Sequence, residues 1–288
     1  MSYVFLVSGA SRGLGRAIVE AALGAGHRVV AGVRSPDALA DLAAGEPDRL
    51  AVVQLDVTDD DQVRAAVATA VERFGRLDVL VNNAGYANMA AIEDFDFDDF
   101  RTQIDANFLG VVRLSQAALP VMRAQRAGHI VQISSVGGRL VRAGLGAYQS
   151  AKWAVTGFSG VLAKEVAPLG IKVTVLEPGG MRTDWAGSSM RVDTVREEYA
   201  TTVGASIAQS TPENLGASDP TKVAELVVTI AEMGDPPARL LVGPDAYCYA
   251  TAAGRDLLAD DEKWEALSLS TAADDVTADQ VDPLGAAK

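Results

Sequence analysis

Tyr148 and Lys152 stand four residues apart in Tyr148-Gln149-Ser150-Ala151-Lys152, inside an apolar, periodic stretch that predicts a helix over residues 147–166. On a helix that spacing puts both side chains on one face, one turn apart, with Cβ atoms about 5–6 Å from each other. A phenol beside an ammonium is an acid–base pair. A free tyrosine, pKa ~10, is a poor base at neutral pH, and lowering it by about three units takes roughly 4 kcal/mol. One cation at ~4 Å, in an effective dielectric near 20, supplies about that much. Any helix yields such pairs by chance, so the spacing gains weight only from its company. Ser135 lies thirteen residues before Tyr148, just past an apolar run at 129–133, and Asn107 opens the predicted helix ahead of that run.

A second constellation lies near the start of the chain. After the first apolar run comes Ser8-Gly9-Ala10-Ser11-Arg12-Gly13-Leu14-Gly15, with a helical pattern directly behind it. Glycines here let the backbone turn tightly and approach a pyrophosphate, which then rests on the N–H groups of the helix N-terminus. The spacing is G-x-x-x-G-x-G, not G-x-G-x-x-G, and glycines at such a place also serve simply to pack helix against strand. Past the second apolar run, where an acidic side chain would accept from a ribose 2′-hydroxyl and favour NAD, the chain has Val33-Arg34. Arg34 and Arg12 together suit a 2′-phosphate, which a guanidinium binds as a bidentate, charge-assisted pair. That favours NADP over NAD; the alternative is two ordinary surface arginines.

The elements that must position these residues alternate along the chain. Short β-branched runs at 3–7, 28–33, 51–55, 79–81, 129–133, 171–176 and 239–242 are separated by amphipathic stretches at 14–25, 59–74, 108–123, 147–166 and 221–233. Runs that are apolar on both faces suit strands buried on both sides, so the pattern predicts an α/β, doubly wound Rossmann-type fold of about seven parallel strands with helices on both faces. Residues 1–270 read as a single domain and 271–288 as an acidic, frayed tail. Residues 182–219 form a connection far longer than the usual ~4–6 residues, the length of a lid over a binding site; the alternative is a plain surface excursion.

The chain has 288 residues and a net charge of −13, of which −8 lies between Asp256 and Asp282. That balance argues against a nucleic-acid partner, because phosphate backbones need clustered Lys and Arg. No run approaches the ~18 apolar residues of a membrane span, and the N-terminus lacks the pattern of a signal peptide. One cysteine, Cys248, excludes an intrachain disulfide, and with only His27 and His129 beside it no metal site is expected. A cytoplasmic location is expected.

Taken in order, these residues resemble the short-chain dehydrogenase/reductase family in its compact single-domain branch, over roughly residues 3 to 243. Gly9, Gly13 and Gly15 match its glycine turn, and Ser11, Arg12 and Leu14 stand within it. Asp56-Val57 matches the dipeptide that touches the adenine, and Asn82-Asn83-Ala84-Gly85 matches the signature after the fourth strand. Asn107, Ser135, Tyr148 and Lys152 match the catalytic tetrad. Pro178-Gly179, with Thr183 five residues after the proline, matches the segment that holds the nicotinamide carboxamide. Ser8 stands where the family often has Thr.

The resemblance implies an NADP-preferring oxidoreductase that interconverts a carbonyl and a secondary alcohol. It makes Tyr148 the general acid/base, Ser135 a donor to the substrate oxygen, Lys152 a ligand of the nicotinamide ribose and Asn107 the seat of a relay water. It also implies a homodimer or homotetramer through the helix 147–166 and its predecessor. The apolar Trp185, Met190 and Tyr199 in the long connection hint at a hydrophobic carbonyl or alcohol substrate. Arg139 and Arg142 could face an anionic substrate or water. A catalytically silent NADP(H)-sensing module and a sugar-nucleotide epimerase or dehydratase are the rival readings.

Overall fold

Val4–Ser8 forms a first strand, β1, whose five side chains are all buried, as a strand covered on both faces requires. The computed structural model describes residues 2–183, 190–211 and 216–283. Six further strands join β1: β2 (Arg28–Val33), β3 (Leu50–Gln54), β4 (Val79–Asn82), β6 (Gly128–Ile133), β7 (Ile171–Pro178) and β9 (Arg239–Val242). They form one sheet in the order β3-β2-β1-β4-β6-β7-β9, and every pairing is parallel. The seven runs read from the sequence are these seven strands. Two residues missed there, Asn88–Met89 (β5), pair with Arg191–Val192 (β8) in a separate parallel bridge.

Alternate residues of each strand feed opposite faces. Phe5 and Val7 pack with the helices α1 (Gly13–Gly24) and α8 (Pro220–Glu232), through Ile18, Ala22, Val227 and Ile230 among others. Val4 and Leu6 pack with α3 (Asp60–Phe74), α5 (Gly110–Gln125) and α6 (Gly146–Val166), through Val67, Leu114 and Leu162 among others. Shorter helices fill the connections: α2 (Ala40–Gly45), α4 (Phe97–Ile104) and α7 (Ala205–Ala208). Helix α9 (Pro244–Lys263) follows the last strand.

The chain divides into two compact units, Met1–Ala250 and Thr251–Lys288. The first holds both sheets and every residue of the candidate site. The described part of the second is helical, and its single turn Ala278–Val281 is closed by a Thr277/Gln280 capping box.

Candidate active site

The sheet order reverses between β1 and β4, and in open α/β sheets ligands bind in the crevice at the carboxyl ends of such strands. Here the two strand ends are locked together. The Ser8 hydroxyl accepts from the backbone N–H groups of Asn83 (3.0 Å) and Ala84 (3.1 Å). In return the Asn83 amide donates to the carbonyls of Ser8 (3.0 Å) and Gly9 (3.2 Å). Gly9, at φ +67°, packs so closely that a Cβ there would lie 2.8 Å from Ala84 Cα, and a Cβ on Gly15 would lie 2.2 Å from the Gly9 carbonyl oxygen. Ser11 and Arg12 complete the turn, and Leu14 turns inward into the core. Arg12 occupies the N-cap of α1 in extended conformation, and its own side chain does not cap that helix. Its first-turn N–H groups therefore lack the partner that Ser, Thr or Asp would give them.

Arg34 follows β2 on the same edge and is exposed, as is Arg12. Neither enters an ion pair among the described residues. Asp56 and Val57 follow β3. The Asp56 carboxylate accepts from Thr58 N–H (2.9 Å) and hydroxyl (2.7 Å), and Val57 lies against Gly110 at the start of α5.

Three of the four tetrad residues meet along one face of α6. Tyr148 and Lys152 are both buried, with the Lys152 ammonium 5.6 Å from the Tyr148 ring centre. Tyr148 shares a hydrogen bond with Ser135. The fourth, Asn107, lies not at a helix start but in a π-helical turn, Asp105–Leu109, between α4 and α5. Such turns splice an extra residue into a helix and often mark functional positions. Both amide hydrogens of Asn107 are committed, to the carbonyls of Tyr86 (2.9 Å) and Gln103 (2.9 Å), while Oδ1 accepts from Tyr86 N–H (3.0 Å). One lone pair of Oδ1 is left for a water. Gly85 makes this packing possible: a Cβ there would lie 2.4 Å from Asn107 Oδ1 and 3.7 Å from Lys152 Nζ.

The electrostatics differ from the expectation. Lys152 does not pull the tyrosine down in this arrangement; burial pushes the Tyr148 phenol up to about 12, with the Ser135 hydrogen bond opposing it. Burial also lowers the Lys152 ammonium to about 8. Both charged forms lose water, and the ammonium is turned onto the Ile133 carbonyl at 2.8 Å. At neutral pH the tyrosine is thus held as the acid.

Pro178 ends β7, and the segment after it is pinned from several sides. Gly179 N–H donates to the Val242 carbonyl at 3.0 Å, and Gly180 N–H to the Asp245 carboxylate at 2.6 Å. Thr183 reaches the glycine turn: a Cβ on Gly13 would touch its side chain at 3.7 Å. Asp245 was not legible as a site residue, although its place just behind Gly243-Pro244 marks a helix start. Gln149, between Tyr148 and Lys152, was missed as well; it accepts from Arg142 N–H (2.8 Å) and donates to the Leu140 carbonyl (3.2 Å). Both open arginines find protein partners. Arg139 pairs with Glu177, and Arg142 donates to the hydroxyl (2.9 Å) and carbonyl (2.5 Å) of Ser206.

The long connection lies beside Tyr148. Ala87, Met89, Leu145 and Tyr148 form a buried apolar cluster, with Met190 and Ile207 packed on it. Tyr199 is half-buried and donates to Glu93 at 2.6 Å. Trp185 lies outside the described residues, as do 184–189 and 212–215 in general.

With this geometry in hand, the family model described as short chain dehydrogenase matches residues 3–192. The chain belongs to the short-chain dehydrogenase/reductase family. It is 55% identical over 275 residues to Oxidoreductase BOA17 of Botryotinia fuckeliana (strain B05.10), covering 94% of this chain and all of that one. A solved short-chain dehydrogenase from Streptomyces avermitilis superposes with TM-score 0.89 at 39% identity, covering 94% of this chain and 98% of that one. An alcohol dehydrogenase from the archaeon Thermococcus sibiricus, solved with 5-hydroxy-NADP, superposes with TM-score 0.70 at 26% identity, covering 84% and 97%. The chain is an NAD(P)-dependent oxidoreductase of this short-chain family. Among the described residues no helix is long and apolar enough to cross a membrane.

Proposed function

We propose that this short-chain oxidoreductase interconverts a carbonyl and a secondary alcohol, preferring NADP to NAD, with Tyr148 as its general acid/base. The observation that carries the reading is the buried Tyr148 phenol, hydrogen-bonded to Ser135 and one helical turn from Lys152, at the carboxyl edge of the sheet.

The residues present fit a dinucleotide. The uncapped start of α1 offers N–H groups to a pyrophosphate, and Gly9, Gly13 and Gly15 leave room where side chains would stand. Ser11, the backbone of Leu14, Asp56, Val57, Asn83, Ala84 and Gly85 would line the adenosine and ribose side, and Pro178, Gly179 and Thr183 the nicotinamide side. Arg12 and Arg34, exposed and in no ion pair among the described residues, support a 2′-phosphate. The neighbour solved with an NADP derivative supports the same choice. When bound, the nicotinamide supplies the hydride.

The chain's own groups do the rest. Tyr148, held protonated by burial, gives its proton to the oxygen of the carbonyl as negative charge develops there. The Ser135 hydroxyl donates a second hydrogen bond to that oxygen. Lys152 spends one N–H on Ile133 and has two left for ribose hydroxyls. A water on Asn107 Oδ1 returns protons toward solvent.

The apolar cluster beside Tyr148, with Arg139 and Arg142 both engaged, supports a neutral, hydrophobic substrate. Gly157 and Gly160 on α6 have open space over them, and Trp153 and Val161 are exposed nearby, which supports a homodimer or homotetramer through that face. The charge of −13 supports a partner that is not nucleic acid, and we place the protein in the cytoplasm.

NADPH consumption across a panel of neutral ketones and size-matched keto acids tests the reading. Turnover of apolar ketones above keto acids is expected; preference for the acids would overturn the substrate class, and no turnover on any carbonyl would overturn the reaction.

A further inference from the structure

Glu177 is a fully buried carboxylate on β7, directly before Pro178. Two arginines from different elements close on it. Arg139 Nε donates to Oε2 at 2.5 Å, while Arg239 of β9 reaches Oε1 through Nη2 and, at 3.1 Å, through Nε. Burying a carboxylate is costly, and an ion pair in such a place is often no more stabilising than apolar residues of the same volume. Stability alone therefore explains this group poorly, whereas its position explains it well.

Arg139 closes the short turn that begins at Ser135. The Ser135 hydroxyl accepts from Gly137 N–H at 3.0 Å, so the direction of that hydroxyl depends on the shape of the turn. Its inner side is fixed against α6. A Cβ on Gly138 would lie 2.9 Å from Ser134 Oγ and 3.0 Å from the Lys152 carbonyl, and Gln149 holds Leu140 and Arg142. Its outer end is fixed by Arg139 to Glu177, one residue from the start of Pro178-Gly179. The Arg139–Glu177 pair thus joins the loop that orients Ser135 to the strand end assigned to the nicotinamide. Arg239 grips the same carboxylate but comes from the neighbouring strand, and among the described residues its side chain hydrogen-bonds to Glu177 alone.

We propose that Glu177 and Arg139 are positioning residues, which set Ser135 in register with the nicotinamide segment, and that Arg239 serves the same carboxylate in a structural role only. This rests on the carbonyl-reduction reading given above. A misplacement of the order of 1 Å in a reacting constellation costs up to about a hundredfold in rate, so the two arginines should separate in kinetics although they share one partner.

The test compares Arg139→Met, Arg139→Lys, Arg239→Met and Glu177→Gln in the full-length protein. Thermal midpoint, NADPH affinity, kcat and carbonyl KM are read for each, with the best ketone of the panel. Both methionine variants should lose thermal stability. Arg139→Met and Glu177→Gln should lose about tenfold or more in kcat with KM changed less than threefold. Arg139→Lys should recover most of that loss, and Arg239→Met should keep kcat within about twofold of wild type. Equal kcat in Arg139→Met and Arg239→Met, whether both high or both low, overturns the proposal while leaving the reaction standing. Turnover that survives Tyr148→Phe would instead overturn the reaction, and the positioning role with it.

Discussion

The Lys152 ammonium donates to the Ile133 carbonyl at 2.8 Å, tying the helix that carries Tyr148 to the strand that leads into Ser135. The lysine is buried to 4% exposure and held near 8, so the fold bears the cost of a partly desolvated cation at neutral pH. Lys152→Met should therefore abolish turnover yet raise stability at pH 7, by about 2 kcal/mol. Folding lowers this group, so between about 8 and the free value near 10.4 the unfolded chain binds more protons and wild-type stability rises with pH. The advantage of the variant should shrink through that window. Chemical denaturation at pH 7 and pH 10 checks both points, and a variant less stable at pH 7 would contradict them.

Gly15 faces the Gly9 carbonyl with no room for a methyl group, since a Cβ would lie 2.2 Å from that oxygen. Backbone cannot yield as a flexible side chain can. Gly15→Ala should open the turn, cost about 1–3 kcal/mol in stability and weaken NADPH binding at least tenfold. Fluorescence titration of NADPH reads this directly, and unchanged affinity would refute a cofactor seat at this turn.

Arg34 is exposed, and among the described residues it enters no ion pair, at the edge expected to hold the adenosine ribose. Arg34→Ala should weaken NADPH about tenfold or more, with NADH changed less than twofold. Equal losses for both would remove the assignment of a 2′-phosphate site.

The strands were legible because each is a short β-branched run bounded by turn residues and set between amphipathic stretches; β2 and β9 coincide with their runs residue for residue. The bridge between Asn88–Met89 and Arg191–Val192 was not legible, because two-residue strands carry no period. The expected tetrad was legible as spacing and resemblance; two of its members, Tyr148 and Lys152, lie on α6, and Ser135 meets Tyr148 from the turn after β6. The environment of Tyr148 was not: burial is a tertiary property, and it reverses the shift that a lysine at ~4 Å in a wetter setting would give. Glu177 and Asp245 were hidden for a related reason. Acidic residues normally read as surface, and only the fold reveals what closes around them.

The connection after β7 is held by charge to α4 and to the segment before it. Arg191 pairs with Asp99 (2.7 Å) and Asp193 (3.0 Å), and Arg196 with Glu93 (3.1 Å) and Asp94 (2.7 Å). Exposed pairs contribute about 0.2–1 kcal/mol each. Asp99→Asn should loosen this covering segment and raise the carbonyl KM severalfold, with kcat nearly unchanged. The gap from wild type should narrow in 1 M salt, where screening acts within about 3 Å. A KM unaffected by both substitution and salt would show that these pairs do not hold the substrate side.

The most direct measurement pairs NADPH turnover with NADPH binding in Tyr148→Phe. The substitution removes one hydroxyl and keeps the ring that packs with Met89 and Leu145. Turnover of the best carbonyl should fall at least a thousandfold, in keeping with ~10²–10⁴ for a general acid, while the NADPH dissociation constant stays within about threefold. Appreciable turnover without the hydroxyl would contradict Tyr148 as the proton donor.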